Sequence, residues 1–231
     1  MSQALRPDLR LIADFVSPGA RVLDVGCGDG ALLAHLARTK GVDARGIELS
    51  QAGVHESVKQ GLAVVQGDAD ADLPLYPDDS FDFVILSQTV QAMRHPKRVL
   101  EEILRISRYG IVSFTNYAHW RARLDLLLRG RMPVTPAAPE PWWRTANIHP
   151  CTLADFERLC REIGVRVEHR LSLGKNGDVN RLASVPGFRN LLSEQALFLL
   201  SRAPTSRARR GSVRPPPASA APARRPASDA A

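Results

Sequence analysis

The stretch VLDVGCGDGALL, Val22 to Leu33, constrains the fold of this chain more than any other. A short apolar run reaches three glycines at alternate positions, Gly26, Gly28 and Gly30, and a run with helical spacing follows at once. A strand that passes through glycines into a helix is the opening unit of a wound α/β sheet. Such a turn lets the backbone approach a ligand closely and aims helix N–H groups at negative charge. Three ligands suit it: a dinucleotide, a phosphate, or a different adenosine cofactor. The dinucleotide pattern needs G-x-G-x-x-G, and here the third glycine comes one residue early. The phosphate-loop pattern needs a Gly-Lys-Ser/Thr ending, which does not follow.

The alternation continues along the chain. RPDLRLIADFV places Leu9, Ile12, Ala13 and Val16 on one helical face. VDARGIEL and LAVVQGD predict the second and third strands, separated by a helix that Ser50 caps and Gly61 stops. FDFVILS is unbroken and apolar, as a central parallel strand covered on both faces must be. PKRVLEEILRIS predicts a helix with Pro96 in its first turn, and YGIVSFTN a fifth strand. TLADFERLCREIG opens with a capping-box pair, Thr152 and Asp155, and VRVEHRLSL with QALFLLSR predicts a closing pair of strands. Strand and helix in this rhythm predict a doubly wound parallel sheet. Two stretches break it, Tyr117 to Pro150 and Gly174 to Glu194; connections this long in compact α/β domains are functional or mobile.

The net charge of +7 suggests nucleic acid until it is located. Six arginines and a single acid, Asp229, give residues 203–231 a net +5 and leave residues 1–202 nearly neutral. That segment also holds six of the 17 prolines and almost no large apolar residue, so it cannot bury enough surface to offset its ordering entropy. The expected organisation is one domain over 1–202, with an insert at 117–150, and a disordered Arg/Pro/Ala-rich tail over 203–231. Nucleic-acid binding would rest on that basic tail alone. No apolar run of about 18 residues predicts a membrane span, and no basic-then-apolar leader opens the chain. Cys27, Cys151 and Cys160 form no metal spacing and read as free thiols of a cytoplasmic protein.

The G-x-G-x-G spacing, with Asp24 two residues ahead, resembles the first motif of S-adenosylmethionine-dependent methyltransferases of the Rossmann-like class. The resemblance implies class I methyltransferase architecture: an α/β sheet of seven strands with the last antiparallel. It also implies a loop, Asp24, Gly26, Cys27, Gly28 and Gly30, lying against the methionine half of the cofactor. Glu48 ends the second strand, where a carboxylate can accept from both ribose hydroxyls. Sites for nicotinamide cofactors use the same device, so Glu48 with its neighbour Leu49 does not discriminate alone. Asp68, followed by Ala69, stands where these enzymes place the acid that accepts from the adenine amino group. Ser87 and Gln88 end the fourth strand beneath the expected methyl group. Cys27 reads as a small filler behind the glycines.

From Leu86 onward a narrower likeness appears. LSQTVQAMRHPKRVLEEILRISRYGIVSFTNYAHWRARLDLLLRGRMPVT and NIHPCTLADFERLCREIGV resemble the methionine-biosynthesis MetW family, and with the glycine motif the likeness spans about residues 5–202. The family's Phe-Pro-Asn-Phe-Gly-His-Trp is here Phe114-Thr115-Asn116-Tyr117-Ala118-His119-Trp120, its Thr-Pro-Asn-Ile-His is Thr145-Ala146-Asn147-Ile148-His149, and the tail is no part of the pattern. The resemblance implies binding of S-adenosylmethionine or S-adenosylhomocysteine and support of a homoserine O-acyltransferase of the MetX type.

Methyl transfer itself needs an aligned nucleophile, and for nitrogen or oxygen acceptors a base. No Asn/Asp-Pro-Pro-Tyr/Phe motif follows the fourth strand, which argues against DNA-amine and protein-glutamine acceptors. Ser87, Gln88 and Gln91 orient without titrating, and His95, His119 and His149 are the candidate bases. Trp120, Trp142 and Trp143 with Met132 would line an acceptor pocket, pack in a core, or anchor a partner. Without an assignable base, a partner subunit is favoured over a methyltransferase acting on a small metabolite.

Overall fold

The structure, a computed structural model, describes residues 5–135, 137–174, 177–180 and 188–202. The segment 203–231 lies outside them, as does part of the stretch from 174 to 194. Seven strands form one sheet in the order β3-β2-β1-β4-β5-β7-β6. They are β1 (Arg21–Val25), β2 (Asp43–Glu48), β3 (Ala63–Gln66), β4 (Phe81–Ser87), β5 (Ser107–Thr115), β6 (Val165–Leu173) and β7 (Gln195–Arg202). The first five run parallel, and β7 enters antiparallel between β5 and β6. The chain winds outward one way through β2 and β3, then returns to place β4 on the other side of β1. That reversal opens a crevice at the carboxyl ends of β1 and β4.

Period-two alternation sorts the strand side chains into two cores. Leu23, Val25, Val84, Leu86, Val112, Phe114 and Phe198 face helices α5 (Pro96–Ile106) and α7 (Leu153–Glu162). Val22, Phe83, Ile85, Ile111, Leu197 and Leu199 face α1 (Pro7–Phe15) and α2 (Ala31–Lys40). The unbroken apolar run of β4 is thus used on both faces, as the sequence predicts.

The local signals also hold. Ser50 caps α3 (Gln51–Lys59), its Oγ accepting from the Gly53 N–H, and the Thr152–Asp155 capping box is complete. Each such cap stabilises its helix by about 1 kcal/mol. Two elements are unforeseen: a single-turn α4 (Ala69–Asp72), capped by Asp68, and α6 (Trp120–Arg129) within the long insert. A short α8 (Arg189–Leu192) precedes β7. Among the described residues no helix is long and apolar enough to cross a membrane, and no group of three or more His, Cys, Asp or Glu is placed to hold a metal.

Candidate functional site

The sheet order makes neighbours of the carboxyl ends of β3, β2, β1 and β4, and the sequence-predicted residues sit on them in that order. Asp68 follows β3, Glu48 ends β2, the glycine loop follows β1, and Ser87 and Gln88 close β4. The loop is held by hydrogen bonds from two directions. Gly26 N–H donates to the Ile47 carbonyl at 2.8 Å, and Gly28 N–H donates to Glu48 Oε2 at 2.8 Å. Glu48 Oε1 accepts from Ser50 N–H, also at 2.8 Å, so one carboxylate ties the loop to the start of α3. Ser57 Oγ, from α3, donates to the Gly28 carbonyl at 3.1 Å.

Gly26 has φ of +75°, and a Cβ there would overlap the Thr89 methyl group. Gly28 has φ of +58°, and a Cβ there would meet nothing within 4 Å. One glycine is thus required by packing behind the loop, and the other keeps its open side clear. Thr89 is itself fixed, its Oγ1 donating to the Val25 carbonyl at 3.1 Å. Leu49, immediately after Glu48, is two-thirds exposed, whereas Ala69 is buried.

Asp24 is fully buried on β1, and its Oδ1 has no hydrogen-bond partner among the described residues. Desolvation, with the nearby Glu48 charge added, pushes its carboxyl up to about 7. Ser87 Oγ is likewise buried and unpartnered. Gln88 adopts φ of +61°, an uncommon conformation for a side-chain-bearing residue, held by its N–H donating to the Ser113 carbonyl at 3.0 Å. At the other end of the row, Asp68 Oδ1 accepts from Asp70 N–H at 3.0 Å and Oδ2 lies 3.5 Å from the Arg94 guanidinium. Asp70 receives the N–H groups of Arg94 and His95 at 2.8 and 2.9 Å, which fastens the loop before α5 beside Asp68.

Gln91 does not face the crevice. It is buried, donating to the Thr115 carbonyl at 3.0 Å and accepting from Thr115 N–H at 3.3 Å, while its own carbonyl accepts from His149 N–H. It braces the insert against β5. Burial lowers the proton affinity of the His119 imidazole, whose Nδ1 accepts from Arg121 N–H at 3.4 Å. His149 points its ring at the Arg94 carbonyl, and His95 is exposed at the start of α5. A cleft of about 470 Å³ opens past Gln88, lined by Arg6, Asp8, Thr115, Glu140, Asn147 and Gln195 among others. None of the three candidate imidazoles lines it. Thr115 and Asn147 stand within the family-like stretches but are given no site role by the sequence, and Gln195 carries no motif; the pairing of β7 with β5 and the fold-back of the insert bring the three together. Trp120, Trp142 and Trp143 are solvent-exposed, so none is a core residue; the last two meet edge to face with centroids 6.0 Å apart.

The thiols are inert by environment. Burial pushes Cys27 up to about 12, Cys151 to about 11 and Cys160 to about 12. Cys27 is wedged behind the loop, where a Cβ on Gly46 would meet its Sγ at 2.7 Å. Only a thiolate attacks an alkylating reagent. The native chain at pH 8 should therefore react with iodoacetamide far more slowly than the urea-unfolded chain, at all three cysteines. A fast native reaction at Cys27, read by peptide mass spectrometry, would contradict this packing.

A seven-stranded sheet in this order, its last strand antiparallel and a glycine loop leaving β1, defines the class I methyltransferase fold. Solved structures agree: a TehB-like SAM-dependent methyltransferase from Corynebacterium glutamicum aligns with a TM-score of 0.58 at 17% identity, over 87% of this chain and 89% of that one. The magnesium protoporphyrin IX methyltransferase of Synechocystis PCC 6803, solved with bound SAH, also aligns with a TM-score of 0.58 at 17% identity, over 85% and 80%. The family is narrower than the fold. The chain belongs to the methionine biosynthesis protein MetW family, whose model matches residues 6–200. A relative, the bifunctional methionine biosynthesis protein MetXA/MetW of Rhodopirellula baltica, is 33% identical over 176 residues, which cover 72% of this chain and 28% of that protein.

Proposed function

We propose that the crevice at the ends of β1 and β4 binds S-adenosylmethionine or S-adenosylhomocysteine, and that the chain works as a partner subunit supporting a MetX-type homoserine O-acyltransferase. The cofactor reading is carried by the ordered row Asp68, Glu48, Gly26–Gly30 and Gln88 on four adjacent strands. The residues fit such a group. The open side of Gly28 leaves room for it, and Asp24 Oδ1 and Ser87 Oγ are buried polar atoms awaiting partners. Glu48 would take the ribose hydroxyls, Asp68 with Ala69 the adenine, and the loop with Asp24 and Cys27 the methionine half; Leu49 would cover the adenosine. The sulfonium form carries an activated methyl group; the sulfide form carries none.

The partner reading is supported by family membership and by the relative whose name joins MetXA to MetW in one protein. Trp120, Trp142 and Trp143 are exposed in the insert, on a surface open to a contact. Residues 1–202 serve as the working domain, in the cytoplasm, with 203–231 as a dispensable tail. The cleft past Gln88 favours a second reading, methyl transfer to a small metabolite. Co-purification of this chain with the acyltransferase, followed by an acyl-transfer assay with and without it, separates the two. Complex formation with a raised acyl-transfer rate supports the partner reading. Separate elution and turnover of a methyl acceptor support the second.

A further inference from the structure

Helix α6 is seated on its domain through a single small residue and leaves its large apolar side chains exposed. Its residues Trp120, Leu124, Leu127 and Leu128 follow the i, i+4, i+7, i+8 spacing that normally seats a helix on a core. Here the one buried residue is Ala122, on the opposite side of the helix. Ala122 is the helix's contact with the domain; Leu126, one turn on along the same side, is 47% exposed, and the outward side carries Leu127 at 80% and Leu128 at 74%. Trp120 and Leu128 lie about 12 Å apart along the axis, and Met132 and Val134, beyond the helix, are also exposed. A row of exposed large apolar side chains of this kind on a single protein marks an interaction surface.

The ridge is set among positive charge. Residues 120–134 hold four arginines, 121, 123, 129 and 131, against one acid, Asp125. Arg121 is anchored, stacked on the Trp120 ring at 5.2 Å and 3.8 Å from Glu194, and Arg123 donates to the Ala118 carbonyl at 2.8 Å. Arg129 pairs with Asp125 at 3.0 Å, so three of the four arginines are held in place and residues 120–134 keep a net +3. A second copy docked ridge to ridge would bring two such arginine sets together, a juxtaposition that like charges oppose. The fitting occupant is a protein groove with an apolar floor and an acidic rim. A relative whose name joins MetXA and MetW in one protein supports a MetX-type occupant.

The geometry points to the outward face of α6 as the docking ridge for the homoserine O-acyltransferase subunit, with Trp120, Leu124, Leu127 and Leu128 carrying most of the binding and the Trp142–Trp143 pair peripheral. This rests on the partner reading above and adds the surface through which it works. Leu127 and Leu128 make little contact with their own domain, so acidic replacements there leave the fold intact while opposing an acidic rim.

The test uses the full chain and the acyltransferase of the same organism. L127E/L128E should weaken the complex by about 100-fold or more, W142A/W143A by less than about 10-fold. Titration with S-adenosylhomocysteine and thermal melting should be unchanged in both variants, which certifies their fold. If the wild-type chain binds and L127E/L128E binds equally well, or W142A/W143A is the variant that fails, the ridge assignment is overturned while the partner reading stands. If the wild-type chain does not bind, the partner reading itself fails. Light scattering of the chain alone and sedimentation with phosphatidylglycerol vesicles complete the test. Self-association or vesicle binding that L127E/L128E abolishes, with the acyltransferase complex intact, would give the ridge to a second copy or a membrane and overturn the proposal.

Discussion

Asp24 is expected to contribute a loss of stability as pH rises from about 4 to about 7 in the ligand-free chain, and D24N is expected to remove that contribution. The sign follows from Asp24. Its carboxyl is pushed up from an ordinary value of 3.8 to about 7 in the folded chain by burial and by Glu48. Below 3.8 both folded and unfolded chains carry the proton, and the contribution of Asp24 is flat. Between the two values the unfolded chain releases the proton while the folded chain keeps it. Stability then falls by about 1.4 kcal/mol per pH unit, to a total on the order of 4 kcal/mol. Above about 7 the folded chain holds a buried carboxylate with one oxygen unpartnered, and the loss is complete. An asparagine at 24 has no charge to bury. Urea titrations of wild type and D24N at pH 4 and pH 8 should show the variant more stable at pH 8 and the two close together at pH 4. Parallel pH profiles would mean that Asp24 is not the group that titrates.

The second large effect belongs to Glu48. Its two oxygens hold Gly28 N–H and Ser50 N–H, each at 2.8 Å, and so link the glycine loop to the start of α3. Hydrogen bonds to a charged group contribute about 1.5–3 kcal/mol each. E48A removes both and also removes the acceptor assigned to the ribose. Affinity for S-adenosylhomocysteine should fall by about 10- to 150-fold, measured by titration calorimetry. E48Q keeps one acceptor oxygen and should lie between wild type and E48A. Because Glu48 is also one of the causes that raise Asp24, the pH window described above should shift to lower pH in E48A. Unchanged affinity in E48A, or binding of NAD in place of the sulfide ligand, would contradict the assignment of this carboxylate.

Much of this architecture is legible in the sequence because its signals are local. Glycines at 26, 28 and 30, the cap at Ser50 and the Thr152–Asp155 box each act over a few residues, and the structure uses them as read. The residues that line the cleft past Gln88 are different. Thr115, Asn147 and Gln195 lie on separate segments, and β7 entering antiparallel beside β5 is what aligns the first and last of them. The demand for a partner on Asp24 is equally invisible, since an aspartate on a strand reads the same whether its oxygens are bonded or not. Gln91 stands near the end of β4 as a candidate orienting group, yet the fold turns it inward to brace Thr115. Helix α6, unread in the sequence, carries helical apolar spacing at Trp120, Leu124, Leu127 and Leu128 on a face its own domain does not cover. Apolar periodicity reports that a face will be covered, and says nothing about whether its own domain or another protein covers it.

The role assigned to the chain as a whole is tested most directly by acyl transfer. Purified homoserine O-acyltransferase should be assayed with homoserine and its acyl donor, alone and with an equimolar amount of this chain, on samples also run through size exclusion. The account predicts a single co-eluting complex and a higher acyl-transfer rate when the chain is present. Separate elution with identical rates would contradict it and leave the crevice to serve methyl transfer instead.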